Sequence, residues 1–125
     1  MIEHVSIPVS SVNKAKVFYR KALAPVGYKL TQEYEEAAGF MAGGHTSFWI
    51  RKEKKVVPTH IAFRARDKKS VAAFHKASLA AGGKDNGKPG YRDYSAGYYA
   101  AFVHDADGNN IEAVWFDPIK EKKGK

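Results

Sequence analysis

The chain has 125 residues, no cysteine and a formal net charge of +8. This length suggests one domain, and the lack of cysteine excludes disulfides, thiolate metal ligands and a cysteine nucleophile. Hydrophobic residues make up 44% of the chain, as is typical of a globular protein. No apolar run approaches the roughly 20 residues that a membrane span requires, and the N-terminus lacks the pattern of a secretory signal. We therefore expect a soluble cytoplasmic protein.

The positive charge is concentrated in residues 51–55 and in the C-terminal residues 118–125. One interpretation is affinity for an anionic substrate or for nucleic acid. The simpler one is a set of solvated surfaces and a flexible basic tail at 118–125. The chain shows no nucleic-acid recognition motif, so we do not expect nucleic acid as its partner. Because it has no long apolar run, we do not expect a membrane either.

The first half of the chain predicts one strand, one helix and three further strands. Apolar residues alternate over 2–8, which predicts a strand. Serines and an asparagine then offer helix caps, and an apolar stripe continues to Leu23, after which Pro25 and Gly27 end the helix. The three strands are predicted at residues 28–34, 37–42 and 46–51.

The second half repeats this order. Residues 59–66 predict a strand and residues 68–81 a helix, which Gly82 and Gly83 end. Residues 84–97 are rich in Gly, Asp, Asn and Pro, and we expect a loop with at most one short strand there. The last two strands are predicted at 98–104 and 109–116, and the turn between them spans residues 105–108.

An internal repeat relates the two halves. A shift of 56 residues places His4 on His60, Phe18 on Phe74 and Gly27 on Gly83 without a gap. Each half then has the order strand–helix–strand–strand–strand, and one such unit cannot bury its apolar face alone. We therefore predict an α+β fold in a single domain over 1–117. Its two paired βαβββ units, 1–56 and 57–117, form a curved mixed-sheet cup with helices on the outer face.

Strand alternation separates core residues from candidate site residues. The apolar partners on each strand, together with Phe18, Phe63 and Phe74, are predicted to form the core. His4 and Ser6 share the other face of the first strand, as His60 and Arg64 do on the fifth. Glu112 occupies that face of the last strand, where an unpaired carboxylate is costly, so we expect a metal ligand or an ion pair with Arg64.

The repeat also aligns residues 46–51 with 109–114, which places Trp49 at the position of Glu112. Four positions should then meet near the axis between the units: His4, Trp49, His60 and Glu112. Indole cannot bind a metal. The two histidines and the glutamate suit a divalent first-row metal, namely Zn, Mn, Fe, Ni or Co, and leave coordination positions open.

Other polar and aromatic residues have weaker assignments. The candidate substrate-binding residues are Trp49, Arg64, Tyr94, Tyr98 and Ser6, with core or rim aromatics as the alternative for the tyrosines. We expect His45, His75 and His104 at the surface or at strand ends. Residues 105–110 are interpreted as a turn, because the full calcium-loop pattern is missing.

Three segments together resemble the vicinal oxygen chelate superfamily, which includes glyoxalase I, bleomycin-resistance proteins, fosfomycin-resistance enzymes and extradiol dioxygenases. They are HVSIPVSSVNKAKVFY at the start, THIAFRA at the midpoint and FVHDADGNNIEAVW near the end. The resemblance covers residues 1–117. It implies paired βαβββ units, a metal on His4, His60 and Glu112, and a homodimer whose cup is built within one chain or from units of two chains.

The resemblance does not select one activity. Metal-dependent glyoxalases usually have Glu or Gln where this chain has Trp49, and extradiol dioxygenases have a His-His-Glu set but normally four units. We therefore expect a metal-dependent lyase, isomerase or dioxygenase that acts on a small molecule. The alternative is a metal-free protein that sequesters a small molecule, as bleomycin-resistance proteins do.

Overall fold

A computed structural model describes residues 1–123 and the side chains of residues 1–120. The first unit contains β1 (Val5–Val9), α1 (Val12–Leu23), a 3-10 turn (Ala24–Val26), β2 (Lys29–Glu33), β3 (Ala37–Ala42) and β4 (His45–Lys52). The second contains β5 (His60–Arg64), α2 (Lys68–Ala80), β6 (Lys84–Tyr91), β7 (Tyr98–His104) and β8 (Asn110–Phe116). A short helix, α3 (Pro118–Lys123), follows. This order confirms the predicted repeat and the α+β class.

The eight strands form two four-stranded mixed sheets with the orders β1-β4-β3-β2 and β5-β8-β7-β6. The pairs β1–β4 and β5–β8 are parallel, and the other neighbours are antiparallel. Ser6 lies opposite Trp49 in the first sheet, and Ala62 lies opposite Glu112 in the second. The register therefore confirms that Trp49 and Glu112 occupy equivalent positions. Strands β1 and β5 are both edge strands.

One hydrophobic core joins the two units. Helices α1 and α2 pack on their own sheets and contact each other. Phe48 of the first sheet meets Phe63 of the second edge-on, with ring centroids 4.9 Å apart. Phe18, Phe63 and Phe74 are all buried in this core, as predicted.

The turn between β7 and β8 is held by Asp105 and Asn109. Asp105 Oδ1 accepts hydrogen bonds from the backbone N–H groups of Asp107 and Asn109, both at 2.9 Å. The Asn109 side chain accepts from Thr59 N at 2.9 Å and donates to Pro8 O at 3.0 Å. These bonds give the D-x-D-G-N segment a structural role that ties the turn to both units.

Two features of the second unit differ from expectation. Where we expected a loop with at most one short strand in residues 84–97, residues 84–91 form an eight-residue strand, β6, whose pairing with β7 is irregular around Gly87 and Gly90. A Cβ at Gly87 would lie 2.9 Å from the Phe102 ring, so the glycine permits a close approach of β6 to β7. His75 is buried in α2 instead of exposed, and its Nε2 lies 2.9 Å from Asp85 Oδ1 of β6.

Residues 118–123 form helix α3 where we expected a flexible tail. Asp117 caps the N-terminus of this helix, because its Oδ1 accepts hydrogen bonds from the backbone N–H groups of Ile119 at 3.0 Å and Lys120 at 3.4 Å. The last part of the predicted tail, residues 124–125, lies outside the described residues. Within residues 1–123, no helix combines the length and apolar character that a membrane crossing needs.

Candidate functional site

Each sheet has one face on the helices and one face turned away from them. We call the latter faces the first open face and the second open face. The first open face is formed by His4, Ser6 and Trp49 with their neighbours on β3 and β4, and the second by His60, Arg64, Tyr98, Phe102 and Glu112. All the predicted site residues lie on these two faces or, for Tyr94, in the loop before β7.

Glu112 is the most buried polar group of the second open face, with its side chain 1% exposed. His60 Nε2 lies 2.8 Å from Glu112 Oε1, and the Tyr98 hydroxyl donates a hydrogen bond to Glu112 Oε2. Both carboxylate oxygens are therefore satisfied, as a buried carboxylate requires. His60, by contrast, is 53% exposed and can be reached from solvent.

Tyr98 acts as a hydrogen-bond donor at neutral pH. Burial raises the pKa of its hydroxyl well above the usual range, and the hydrogen bond to the Glu112 carboxylate adds to this rise. The hydroxyl therefore keeps its proton and fixes the orientation of Glu112. In this arrangement Tyr98 is not a general base.

Arg64 does not pair with Glu112, which corrects one of the two roles predicted for that carboxylate. Its guanidinium instead lies 5.2 Å from the centre of the Phe116 ring. A second cation, Arg92, lies 5.4 Å from the centre of the Phe102 ring. Tyr94 is exposed and meets Tyr98 edge-on at 5.0 Å. The second open face thus surrounds one buried carboxylate with aromatic rings and arginines.

Trp49 dominates the first open face. Its indole lies against Gly39 on the neighbouring strand, where a Cβ would come within 2.9 Å of the ring. Tyr34 is nearly parallel to Trp49, with an interplanar angle of 23° and a centroid distance of 6.2 Å. These two rings belong to an open depression whose other lining residues are Glu3, His4, Ser6, Ala37, Thr46 and Arg51.

His4 precedes β1 at the edge of this depression and is exposed. Its Nδ1 contacts Glu3 Oε1, and the other oxygen of that carboxylate lies 2.9 Å from His45 Nε2. The hydrogen bond with His4 holds the pKa of Glu3 below its usual value. Sequence reasoning missed Glu3, Tyr34 and Arg92, because each lies outside the repeat positions that pointed to the site.

Within one chain, two of the three predicted ligands, His60 and Glu112, lie close enough to bind one metal ion. Two ligand atoms bound to the same ion at ordinary Zn–N and Zn–O distances lie about 3 Å apart, and His60 Nε2 and Glu112 Oε1 are already 2.8 Å apart. His4 is on the other open face. Among the side chains of residues 1–120, no group of three or more His, Cys, Asp or Glu is arranged to hold a metal ion. The predicted three-ligand set therefore remains a prediction.

Another cavity lies between the start of α1 and the β7–β8 turn. Its buried polar side chains are Tyr19 and Asp105, and the Tyr19 hydroxyl donates a hydrogen bond to the Asp105 carboxylate. Asp107, also in its wall, accepts from Ser10 N at 3.0 Å. The buried groups of this cavity satisfy one another, whereas the open faces also carry exposed imidazoles, His4 and His60. The open faces are therefore the better candidates for ligand chemistry.

Comparisons with known proteins agree with this geometry. A glyoxalase/bleomycin resistance protein from Albidiferax ferrireducens T118 is 27% identical and superposes with a TM-score of 0.78, over 90% of this chain and 96% of the other. Lactoylglutathione lyase from Agrobacterium tumefaciens is 17% identical, with a TM-score of 0.71 and 92% of each chain covered. A third similar structure is FosX, a fosfomycin resistance protein from Listeria monocytogenes, solved with Mn(II) and sulfate. It is 17% identical and superposes with a TM-score of 0.71 over 98% of this chain and 95% of FosX.

At these identities the last two similarities establish the fold alone. No curated protein matches the chain. A family model described as Glyoxalase/Bleomycin resistance protein/Dioxygenase superfamily matches residues 1–113. This match covers most of the chain and agrees with the paired βαβββ units, so the protein belongs to the glyoxalase/bleomycin resistance protein/dioxygenase superfamily.

Proposed function

We propose that the protein is a metal-dependent enzyme that acts on a small molecule chelated to a divalent metal. The observation that carries this proposal is Glu112, a buried carboxylate whose oxygens meet the Nε2 of exposed His60 and the hydroxyl of Tyr98. A carboxylate with an adjacent imidazole supplies two of the three ligands of a 2-His-1-carboxylate set. Tyr98 supplies the outer hydrogen bond that such ligands usually have.

The third ligand, His4, would come from a second copy of the chain. Strands β1 and β5 are edge strands in their sheets, and an edge strand offers backbone groups for pairing with another chain. A homodimer that brought β1 of one copy beside β5 of its partner would join the first open face to the second. His4 and Trp49 would then face His60 and Glu112. The ion would be Zn, Mn, Fe, Ni or Co; Mn(II) is the metal named with FosX.

The side chains around the proposed metal limit which groups could act as a general base and which reactions are consistent with the site. A divalent metal at this site would act as a Lewis acid and stabilise negative charge on substrate oxygens. Trp49 can neither ligate nor accept a proton, and Tyr98 keeps its proton, so neither serves as the base. His60 and Glu112 would exchange their mutual hydrogen bond for bonds to the metal. Reaction types consistent with this set are lyase, isomerase and dioxygenase chemistry.

Metal analysis tests the proposal directly. Purified protein would be stripped with EDTA, reloaded separately with Zn, Mn, Fe, Ni or Co, and freed of unbound metal before elemental analysis. We expect about one equivalent per chain for at least one metal. His60→Ala and Glu112→Gln should abolish it, whereas His104→Ala, outside the proposed set, should not. Wild-type protein that retains no metal would refute the enzyme proposal.

The second candidate is a metal-free protein that sequesters a small molecule. It is favoured by Trp49, which stands where a fourth ligand would be expected and forms an aromatic wall with Tyr34. A thermal-shift screen of aromatic and cationic compounds in EDTA separates the two candidates. Stabilisation that is unaffected by metal and by Glu112→Gln would favour sequestration.

A further inference from the structure

We propose that the first open face binds a planar aromatic anion, whose ring packs on Trp49 and whose negative group pairs with Arg51. This inference rests on the proposed function, because it takes the depression around Trp49 as part of the substrate site. It names the class of substrate, which the metal ligands do not define. All the groups involved line a single depression of one chain.

The aromatic part of the ligand follows from Gly39. Because a Cβ at this position would come within 2.9 Å of Trp49 and 2.8 Å of Thr46, only glycine lets the indole lie against the sheet. An indole held in this way presents a flat apolar surface, and Tyr34 extends it at an angle of 23°. Aromatic rings prefer offset or edge contacts with such surfaces, and these add to the gain from burial alone. A planar ring is therefore the shape that this depression fits best.

The negative charge of the ligand follows from Arg51. It lies two residues after Trp49 on β4, so both side chains are on the same face of the strand. Among the described residues, the ion pairs of lysine and arginine are Lys16–Glu33 and Arg66–Asp67. Arg51 therefore has no described carboxylate within 4.0 Å, although it also borders a neighbouring depression lined by Glu36 and Glu53. Its planar fork of donors suits a carboxylate or a similar oxyanion.

The one carboxylate among the residues that line the depression is already engaged. Glu3 contacts His4 through one oxygen and His45 through the other. The Thr46 hydroxyl is hydrogen-bonded to Thr31 at 3.0 Å. The groups left to meet a ligand are Arg51, the Ser6 hydroxyl, the exposed His4 ring and the two aromatic rings. This set favours an anion over the cationic compounds that a sequestration protein of the bleomycin-resistance type would take.

The experiment uses Trp49 itself as the reporter. The chain has two tryptophans, and Trp115 packs against Tyr99 on the helix side of the second sheet. In Trp115→Phe protein, the remaining fluorescence comes from Trp49. Benzoate, benzamide, cyclohexanecarboxylate and benzylammonium would be titrated in EDTA at constant ionic strength. We expect benzoate to bind at least about fivefold more tightly than each of the other three.

Three variants in the Trp115→Phe background locate the binding. Arg51→Gln should remove the preference for benzoate over benzamide. Lys52→Gln, which removes the same charge one residue later on the opposite face, should keep it. Gly39→Ala should weaken benzoate and benzamide alike, because the added Cβ displaces the indole; far-UV circular dichroism would check that it folds.

Equal affinity for benzoate and benzamide, tighter binding of benzylammonium, or no binding in EDTA would overturn the inference. Because no metal is present, these results are independent of the metal analysis. Benzoate binding that depends on Arg51, in a protein that retains no metal, would uphold the substrate class while refuting the proposed enzyme.

Discussion

The Tyr98 hydroxyl donates a hydrogen bond to the Glu112 carboxylate across two neighbouring strands of the second open face. The bond holds one oxygen of a buried carboxylate, and His60 holds the other. The second unit thus contains a preformed three-residue cluster that one chain supplies by itself. The contribution of this cluster to the stability of the protein and its role in metal binding can be tested separately.

Removing the Tyr98 hydroxyl should destabilise the metal-free protein. Tyr98→Phe would leave Glu112 Oε2 without its donor in a buried position, at a cost of about 1–3 kcal/mol in the free energy of unfolding. The measurement is urea denaturation in EDTA. Tyr94→Phe is the matched control, because Tyr94 is 68% exposed, and it should change stability by less than about 0.5 kcal/mol. Equal effects of the two substitutions would contradict the role assigned to Tyr98.

Much of this fold could be predicted from local patterns. Alternation and helical stripes located seven of the eight strands and helices α1 and α2, because their apolar residues recur at the spacing that burial requires. Strand β6 was expected only as one short strand within residues 84–97, so its length and bounds were not predicted. Its glycines and proline are poor strand formers, and only pairing with β7, a contact between distant residues, makes it a strand. The same limit applies to His75, whose burial depends on packing of α2 against β6.

The candidate site could be predicted only in part for a related reason. The repeat identified equivalent positions, so it placed His60 and Glu112 together correctly and aligned Trp49 with Glu112. It could not say whether His4 joins His60 and Glu112 within one chain or across two chains, because a repeat carries no information on how the units associate. The packing of the Trp49 indole on Gly39 was also not predicted, because an isolated glycine in a strand is usually interpreted as destabilising the strand.

The buried Tyr19–Asp105 pair should make stability sensitive to alkaline pH. Burial raises the pKa of the Tyr19 hydroxyl well above 10.0, and the charge of Asp105 adds to this effect. The folded state therefore favours the protonated tyrosine. Its contribution is fully present below the pKa of an unfolded tyrosine, about 10, and is lost as the pH rises from there toward the folded-state pKa.

Tyr19→Phe tests this reasoning. At pH 7 it should destabilise the protein by about 1–3 kcal/mol, because Asp105 loses a buried donor. The difference from wild type should shrink as the pH rises above about 10, since only the wild type loses stability through this group. Urea denaturation at a series of pH values measures both effects. Phe63→Leu, which alters a buried ring and removes no titratable group, is the control and should show a difference that does not vary with pH.

Asn109 should be the most sensitive residue of the β7–β8 turn. Its side chain is fully buried and bonds to Thr59 N, Pro8 O and Asp105 Oδ2. Asn109→Ala would leave these partners unsatisfied and should cost about 2–3 kcal/mol. Its neighbour Asn110, whose side chain accepts from Asn86 at 3.1 Å, provides the control: Asn110→Ala should cost less than about 1 kcal/mol. Thermal unfolding of the two variants makes the comparison, and a small loss for Asn109→Ala would contradict a structural role for this motif.

Subunit mixing should reveal whether two chains share each metal site. His4→Ala and Glu112→Gln chains should each fail to retain metal. If the ligands come from different chains, a heterodimer of the two variants contains one intact site, so an equal, freely exchanging mixture should recover about one quarter of the wild-type metal content. Ligands from the same chain would give no recovery. The converse mixture pairs wild type with a chain that carries both substitutions. It should retain about one quarter of the metal for shared sites and about one half for sites within one chain. Chains that failed to exchange would also give no recovery in the first mixture and about one half in the second, so native mass spectrometry must show the heterodimer in each mixture before the metal content is compared.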